Sequence, residues 1–184
     1  RVTGATDSAG KTTNYTYDAA GNLLSITDPL NHAWSYQYDS NNRVTRKTDA
    51  NNNTTQSAYD SNGNCIQVTD ALSHTTTYAY DSENQLVGIT NPRGKTTAYA
   101  YDLNGRLTSI TDPLGNTSSF NYDEVGNVTG RQDALGNTVA SYTYDPQKYL
   151  LTSVKDALDN STNNQYDSLG RLSAITDPLN RSTQ

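Results

Sequence analysis

A tyrosine–aspartate pair returns every 21 residues through most of this chain, and that recurrence limits what the chain can fold into. The pairs are Tyr17-Asp18, Tyr38-Asp39, Tyr59-Asp60, Tyr80-Asp81, Tyr101-Asp102 and Tyr122-Asp123, followed at 22-residue steps by Tyr144-Asp145 and Tyr166-Asp167. A second ladder runs between them: Asp7, Asp28, Asp49, Asp70, Asn91, Asp112, Asp133, Asp156 and Asp177. Self-similarity at a short fixed period means one supersecondary unit repeated in tandem, not a single globular core. Residues 1–184 read as one array of about nine such units, beginning and ending inside a repeat. Because repeat arrays need capping units, the expectation is a segment of a longer protein.

Each unit divides into two strands and two three-residue turns. From Asp102, the turn Leu103-Asn104-Gly105 leads into residues 106–112, and Pro113-Leu114-Gly115 leads into 116–123. Aspartate at the head of each turn can accept the backbone amide two residues on. Proline, where present, presets φ for the next position. The third turn residue must be left-handed to close the usual three-residue hairpin. After the Tyr-Asp pairs that place holds Gly21, Asn42, Gly63, Asn84, Gly105, Gly126 and Gly170. After the other ladder it holds Gly10, Asn31, Asn52, Gly94, Gly115, Gly136, Asp159 and Asn180, with Ser73 as the exception. Glycine and asparagine tolerate positive φ, so the pattern has a steric reason. Two such turns per 21 residues leave no room for a helix.

The predicted fold is therefore all-β: an antiparallel meander of roughly 17 strands. At about 4.8 Å per strand it makes a ribbon on the order of 80 Å wide that twists and curls. Period two puts Tyr15/Tyr17, Tyr36/Tyr38, Tyr78/Tyr80, Tyr99/Tyr101, Phe120/Tyr122 and Tyr142/Tyr144 on one face with Trp34. The alternate positions, such as Gln37, Ala79 and Asn121, are small or polar. On the intervening strands Leu23/Ile26, Cys65/Val68, Leu86/Ile89, Leu107/Ile110 and Leu172/Ile175 are three apart. That spacing breaks strict alternation, which leaves open whether a bulge restores it or one residue faces the other way. Near Tyr144 one residue is added on each side of the turn that starts at Asp145. Equal lengthening of both arms would keep register and make that hairpin protrude by one residue pair.

Composition narrows the function classes. Leu, Ile, Val and Phe make up roughly 16% of residues, too little for a thick two-layer core. The 14 tyrosines in register and a net charge of only −6 argue against disorder. An acidic balance offers no basic patch for nucleic acid, and no apolar run is long enough for a membrane-spanning helix. Cys65 stands alone at a register position otherwise held by Leu or Val, so it reads as a small buried hydrophobe. His32 and His74 lie two repeats apart, roughly 19 Å, beyond a shared metal, and read as exposed loop-edge residues. Arg43, Arg106 and Arg171 share one position after the turn and read as a solvated strand edge. No catalytic constellation, cofactor site or metal site is expected. The residues singled out are structural: Tyr17, Asp18, Gly21, Tyr38, Asp39, Tyr59, Asp60, Gly63, Tyr80, Asp81, Tyr101, Asp102, Gly105, Tyr122, Asp123, Gly126, Tyr144, Asp145, Tyr166, Asp167 and Gly170.

The unit Tyr-Asp-x-x-Gly-Arg/Asn-Leu-x-x-Ile-Thr-Asp-Pro-Leu-Gly-Asn, clearest over residues 101–116 and 166–180, resembles the YD repeat of the Rhs family. Resemblance to Rhs proteins and Tc-toxin shell components implies a β-ribbon that spirals into a hollow shell around a C-terminal toxin domain. The implied partners are further repeats of its own parent chain and that enclosed domain, in a secreted or cell-surface bacterial protein. Teneurins also carry YD repeats, so a cell-surface adhesion or carbohydrate-binding array is the alternative; there Trp34 could stack on a sugar.

Overall fold

The computed structural model describes residues 1–183. Two units divide the chain, one ending at Lys95 and the other starting at Thr96. In the first, nine strands follow one another: β1 (Gly4–Thr6), β2 (Thr12–Tyr17), β3 (Leu23–Thr27), β4 (Ala33–Tyr38), β5 (Val44–Thr48), β6 (Thr54–Tyr59), β7 (Cys65–Thr69), β8 (Thr75–Tyr80) and β9 (Leu86–Thr90). The second continues with β10 (Thr96–Tyr101), β11 (Leu107–Thr111), β12 (Thr117–Tyr122), β13 (Val128–Gln132), β14 (Thr138–Tyr144), β15 (Leu151–Asp156), β16 (Ser161–Tyr166), β17 (Leu172–Thr176) and β18 (Ser182–Thr183). Eighteen strands are thus present among the described residues, one more than the turns alone suggested, and none of those residues is helical. Within each unit every strand pairs antiparallel with the strand before and the strand after it, and touches no other. Ordinary strands run five or six residues, shorter than the turn-to-turn intervals, because the first and last residues of each interval close the turns.

Every turn among the described residues except the one at Asp145 takes the same backbone path. Asp102 N–H donates to Arg106 O (2.9 Å) and Gly105 N–H donates to Asp102 O (3.0 Å), the closed three-residue hairpin expected from the residue pattern. Left-handed φ values recur at the third turn position, among them Asn42 (61°), Asn84 (62°) and Gly105 (76°). Ser73 also adopts φ 65°. The hairpin geometry on either side imposes that conformation on a residue that disfavours it by roughly 1–2 kcal/mol.

The apolar spacing of three is the trace of a β-bulge. Tyr101 faces Leu107 while Ala100 faces Ser109, so Thr108 has no cross-strand partner of its own. The same extra residue is Leu24, Thr45, Ile66, Val87, Thr129, Thr152 and Ser173 in the other Tyr-Asp hairpins. One inserted residue shifts the side-chain parity of its strand. Leu107 therefore lies opposite Tyr101 and Ile110 opposite Tyr99, both on the tyrosine face. The alternation is visible in β4, where Trp34, Tyr36 and Tyr38 are half-buried and Ala33, Ser35 and Gln37 are exposed. No second layer covers either face among the described residues. Ala174, at 8% exposure, is the one buried hydrophobic side chain there.

The irregular hairpin β14–β15 differs from the sequence expectation. Its two additional residues do not lengthen both arms. Arg131 pairs with Ala140 and Gln132 with Thr138, so Val139 is absorbed as a bulge against β13. The other residue enlarges the turn: Asp145 N–H bonds Leu150 O (2.8 Å), Tyr149 N–H bonds Asp145 O (2.9 Å), and Tyr149 takes φ 55°. Tyr144 still faces Leu151 as Tyr122 faces Val128, so the tyrosine register is unbroken and no extra residue pair protrudes.

Candidate functional site

In the repeated Tyr-Asp turn a carboxylate, a phenol and often a guanidinium converge. Asp102 Oδ1 accepts the amides of Asn104 (2.9 Å) and Arg106 (3.0 Å), and its Oδ2 accepts Arg106 Nε (2.6 Å). The second backbone bond, to the residue four on, goes beyond the single one expected from the pattern. Asp39 repeats this with Asn41 and Arg43, and Asp60 with Asn62 and Asn64. Asp18 takes Gly21 and Asn22, Asp81 takes Glu83 and Gln85, Asp123 takes Val125 and Asn127, and Asp167 takes Leu169 and Arg171. In the enlarged turn Asp145 accepts Gln147 and Lys148 instead. The Arg106 amide, then its guanidinium, hold the Asp102 carboxyl below its ordinary value against the opposing effect of burial. For Asp60 the leading cause is the Asn64 side chain. With their pKa lowered in this way, Asp39, Asp60 and Asp102 stay ionised at neutral pH while their oxygens cap the turns.

Six of the Tyr-Asp turns are also fastened to the preceding hairpin, which sequence reasoning missed. Tyr122 Oη donates to Leu107 O (2.8 Å), and Leu107 is the residue just before the bulge at Thr108. Tyr38 bonds Leu23 O (2.9 Å), Tyr59 bonds Val44 O (2.9 Å), Tyr80 bonds Cys65 O (3.2 Å), Tyr144 bonds Val128 O (3.0 Å) and Tyr166 bonds Leu151 O (2.8 Å). A bulge disrupts the ladder locally, and the phenol supplies a donor to the carbonyl beside it. Burial, first, raises the phenol pKa of Tyr38, Tyr80 and Tyr144, so these hydroxyls keep their proton. Tyr101 ends β10 opposite Leu107. The signal that could have located the bond was the apolar spacing of three, since it marks the bulge.

Arginine adds a second fastening and corrects the solvated-edge reading. Arg43 is only 24% exposed; its Nη1 donates to Asp60 O (3.0 Å) and its guanidinium lies 4.7 Å from the Tyr59 ring centre. Arg106 repeats this on Asp123 O (2.9 Å) and Tyr122 (4.8 Å). Arg1 reaches Ala20 O (3.1 Å) and lies 6.0 Å from the Tyr17 ring. Planar guanidinium suits such combined hydrogen bonding and stacking better than lysine does. Arg171, by contrast, is 75% exposed and bonds Asp167 alone among its described contacts.

The two histidines stay on the loop edge, more than half exposed, and each bonds the aspartate heading its own turn, His32 with Asp28 and His74 with Asp70. Cys65 is half-buried and its thiol donates to Gln67 O (3.6 Å). Among the described residues no group of three or more His, Cys, Asp or Glu side chains could hold a metal ion.

Fold and turn together define a tandem β-hairpin repeat protein, one in which each unit is a structural module joined to the next. The RHS Repeat family profile matches residues 1–33, 17–54, 59–96, 80–117, 101–138 and 122–161. The chain belongs to the RHS repeat family, and its role is that of a structural repeat. Among solved structures it is similar to the Photorhabdus luminescens Tc holotoxin pore, in a form carrying a mutation in TccC3. The two are 19% identical, with a TM-score of 0.55, over 90% of this chain and 12% of the other. A TcdB2-TccC3-Cdc42 structure is matched over 91% of this chain and 14% of the other, at 13% identity and a TM-score of 0.47. The first likeness shows a shared fold, and this chain spans about an eighth of the length of that relative. No curated protein matches it.

Proposed function

We propose that residues 1–184 are a single stretch of wall in a hollow β-shell, which holds a C-terminal toxin domain of the same parent chain until delivery. The parent would be a secreted or cell-surface bacterial protein, and the partners of this stretch would be further repeats and the enclosed domain. In this reading the Tyr-Asp-Gly positions are the fasteners of the wall and perform no chemistry. The observation that carries it is the run of RHS matches along the chain together with a fold shared with a Tc holotoxin component. A one-layer sheet whose tyrosine side is half-buried at best supports it, because such a sheet suits a wall better than a self-contained globule.

Limited proteolysis of the full-length parent, followed by mass spectrometry, tests the proposal. The expected result is a C-terminal fragment that stays with a protease-resistant array and separates only on denaturation. An array that digests freely, or a parent with no enclosed fragment, would sink it. Glycan binding through Trp34 and Tyr36, half-exposed on the tyrosine face, would then be measured next.

A further inference from the structure

At several Tyr-Asp turns the residue that follows the turn contacts the last residue or carbonyl of the next Tyr-Asp turn. Arg43 faces the turn that ends in Gly63, and Arg106 faces the turn that ends in Gly126. Arg1 faces the turn that ends in Gly21. Asn22, at the same register position, instead donates Nδ2 to Asn42 Oδ1 (2.6 Å), and Asn64 donates to Asn84 Oδ1 (2.8 Å). Arginine meets glycine; asparagine meets asparagine.

Sterics and backbone geometry both explain the matching. A Cβ placed on Gly63 would stand 3.7 Å from Arg43 Nη1, and one on Gly126 would stand 3.8 Å from Arg106 Nη1. Those are contact distances, so the arginine packs directly on the glycine turn, and on Gly21 a Cβ would overlap the Arg1 guanidinium. The turns that face arginine are also opened: Gly21, Gly63 and Gly126 have φ of 103°, 97° and 100°. Those that face asparagine sit at 61° and 62°, close to the ordinary left-handed well that asparagine accepts. Gly170, which faces the Leu150 side chain, lies between them at 78°. The opened turns suit glycine alone.

We propose that these two positions form a matched pair that specifies which hairpin accepts which neighbour. In the first unit the hairpins read Gly21/Asn22, Asn42/Arg43, Gly63/Asn64 and Asn84, so the two pair types alternate. Skipping one hairpin would set Asn22 against Gly63, which lacks the side-chain acceptor that Asn42 offers, or Arg43 against Asn84, whose turn lacks the opened φ of the glycine turns that arginine packs on. Nearly identical repeats thereby reject the next-but-one partner. Specificity of this kind rests on penalising the wrong pairing as much as on favouring the right one. The inference holds whether or not the array encloses a cargo.

A double-substitution cycle on the 184-residue chain tests it. Arg43→Asn and Gly63→Asn each create a mismatch and are expected to lower the urea midpoint. The two together rebuild an Asn–Asn pair and are expected to return it close to the starting value. The reverse exchange, Asn22→Arg with Asn42→Gly, should behave the same way. Hydrogen exchange at the residue-63 amide should speed up several-fold in each single variant and slow again in the double. A single variant too unstable to fold counts for the proposal if its double folds. Losses that simply add, or a double variant that does not fold, would overturn it.

Discussion

The Tyr-Asp turns and the turns of the interleaved aspartate ladder begin with the same carboxylate cap and end in a left-handed residue, yet they differ in what lies next to them. Asp112 takes the amides of Leu114 (2.8 Å) and Asn116 (2.9 Å) and the Asn116 side chain (2.8 Å), matching the pattern at Asp102. At the Tyr-Asp turns a phenol and often a guanidinium cross to the neighbouring hairpin. The second turn residue points into solvent in both kinds, Leu114 at 82% and Leu169 at 76% exposure, so the difference lies in those crossing side chains. Local Asp chemistry makes hairpins. Side chains that reach across the tyrosine turns join them into an array.

The largest test of that contrast compares Tyr122→Ala with Leu114→Ala. Loss of the half-buried ring and its hydroxyl should cost about 2–3 kcal/mol in urea unfolding, while Leu114→Ala should stay within about 0.5 kcal/mol. Equal costs would erase the distinction between the two kinds of turn. Next in size, Arg106→Ala should lose about 1–2 kcal/mol through its carbonyl bond and ring contact. Arg181→Ala, at a 75% exposed side chain whose described bond is to its own turn, should cost about 0.5 kcal/mol or less. Tyr122→Phe keeps the ring and removes only the bond to Leu107 O, an expected loss of about 1 kcal/mol.

Acid should act on both kinds of turn alike. Asp39, Asp102, Asp112 and Asp177 all have carboxyl pKa values below the ordinary 3.8, each through bonds from the residue four on. Folded-state values depressed in this way give stability that is complete above the unfolded value and drains away as pH falls through the folded one. Circular dichroism should therefore hold steady down to about pH 4 and then collapse. The smallest effect sharpens the point. Asn91 replaces aspartate in its ladder and accepts the Arg93 (3.0 Å) and Lys95 (3.1 Å) amides through a group that does not titrate. Relative to intrinsic exchange rates, those two amides should lose less protection in mild acid than the Leu114 and Asn116 amides. Equal losses would show that the caps are not what acid removes.

Strand order, turn positions and left-handed residues were legible in the sequence because each depends on one residue type at one local place. The Leu107–Ile110 spacing was visible too, but its meaning depended on where the extra residue sat opposite Tyr101, which only cross-strand pairing reveals. For the same reason the Tyr122 hydroxyl bond and the role of Arg106 were hidden: both partners lie at least 15 residues away in the chain. The β14–β15 hairpin was misjudged because an inserted residue can lengthen a strand, bulge it or widen a turn. Counting residues does not separate those outcomes, and Val139 and Tyr149 took the second and third.

Because within each unit a strand touches only the one before and the one after, a mechanical load on one end of such a meander meets a single hairpin at a time. Each repeat that peels away frees 21 residues, about 70 Å of chain. Force spectroscopy should show small, nearly evenly spaced drops instead of one large rupture, with the drops at the two 22-residue steps each displaced by about one residue's length. An array built this way can be stripped in sequence and can re-zip in sequence, so a partly pulled molecule keeps an intact template for its own recovery.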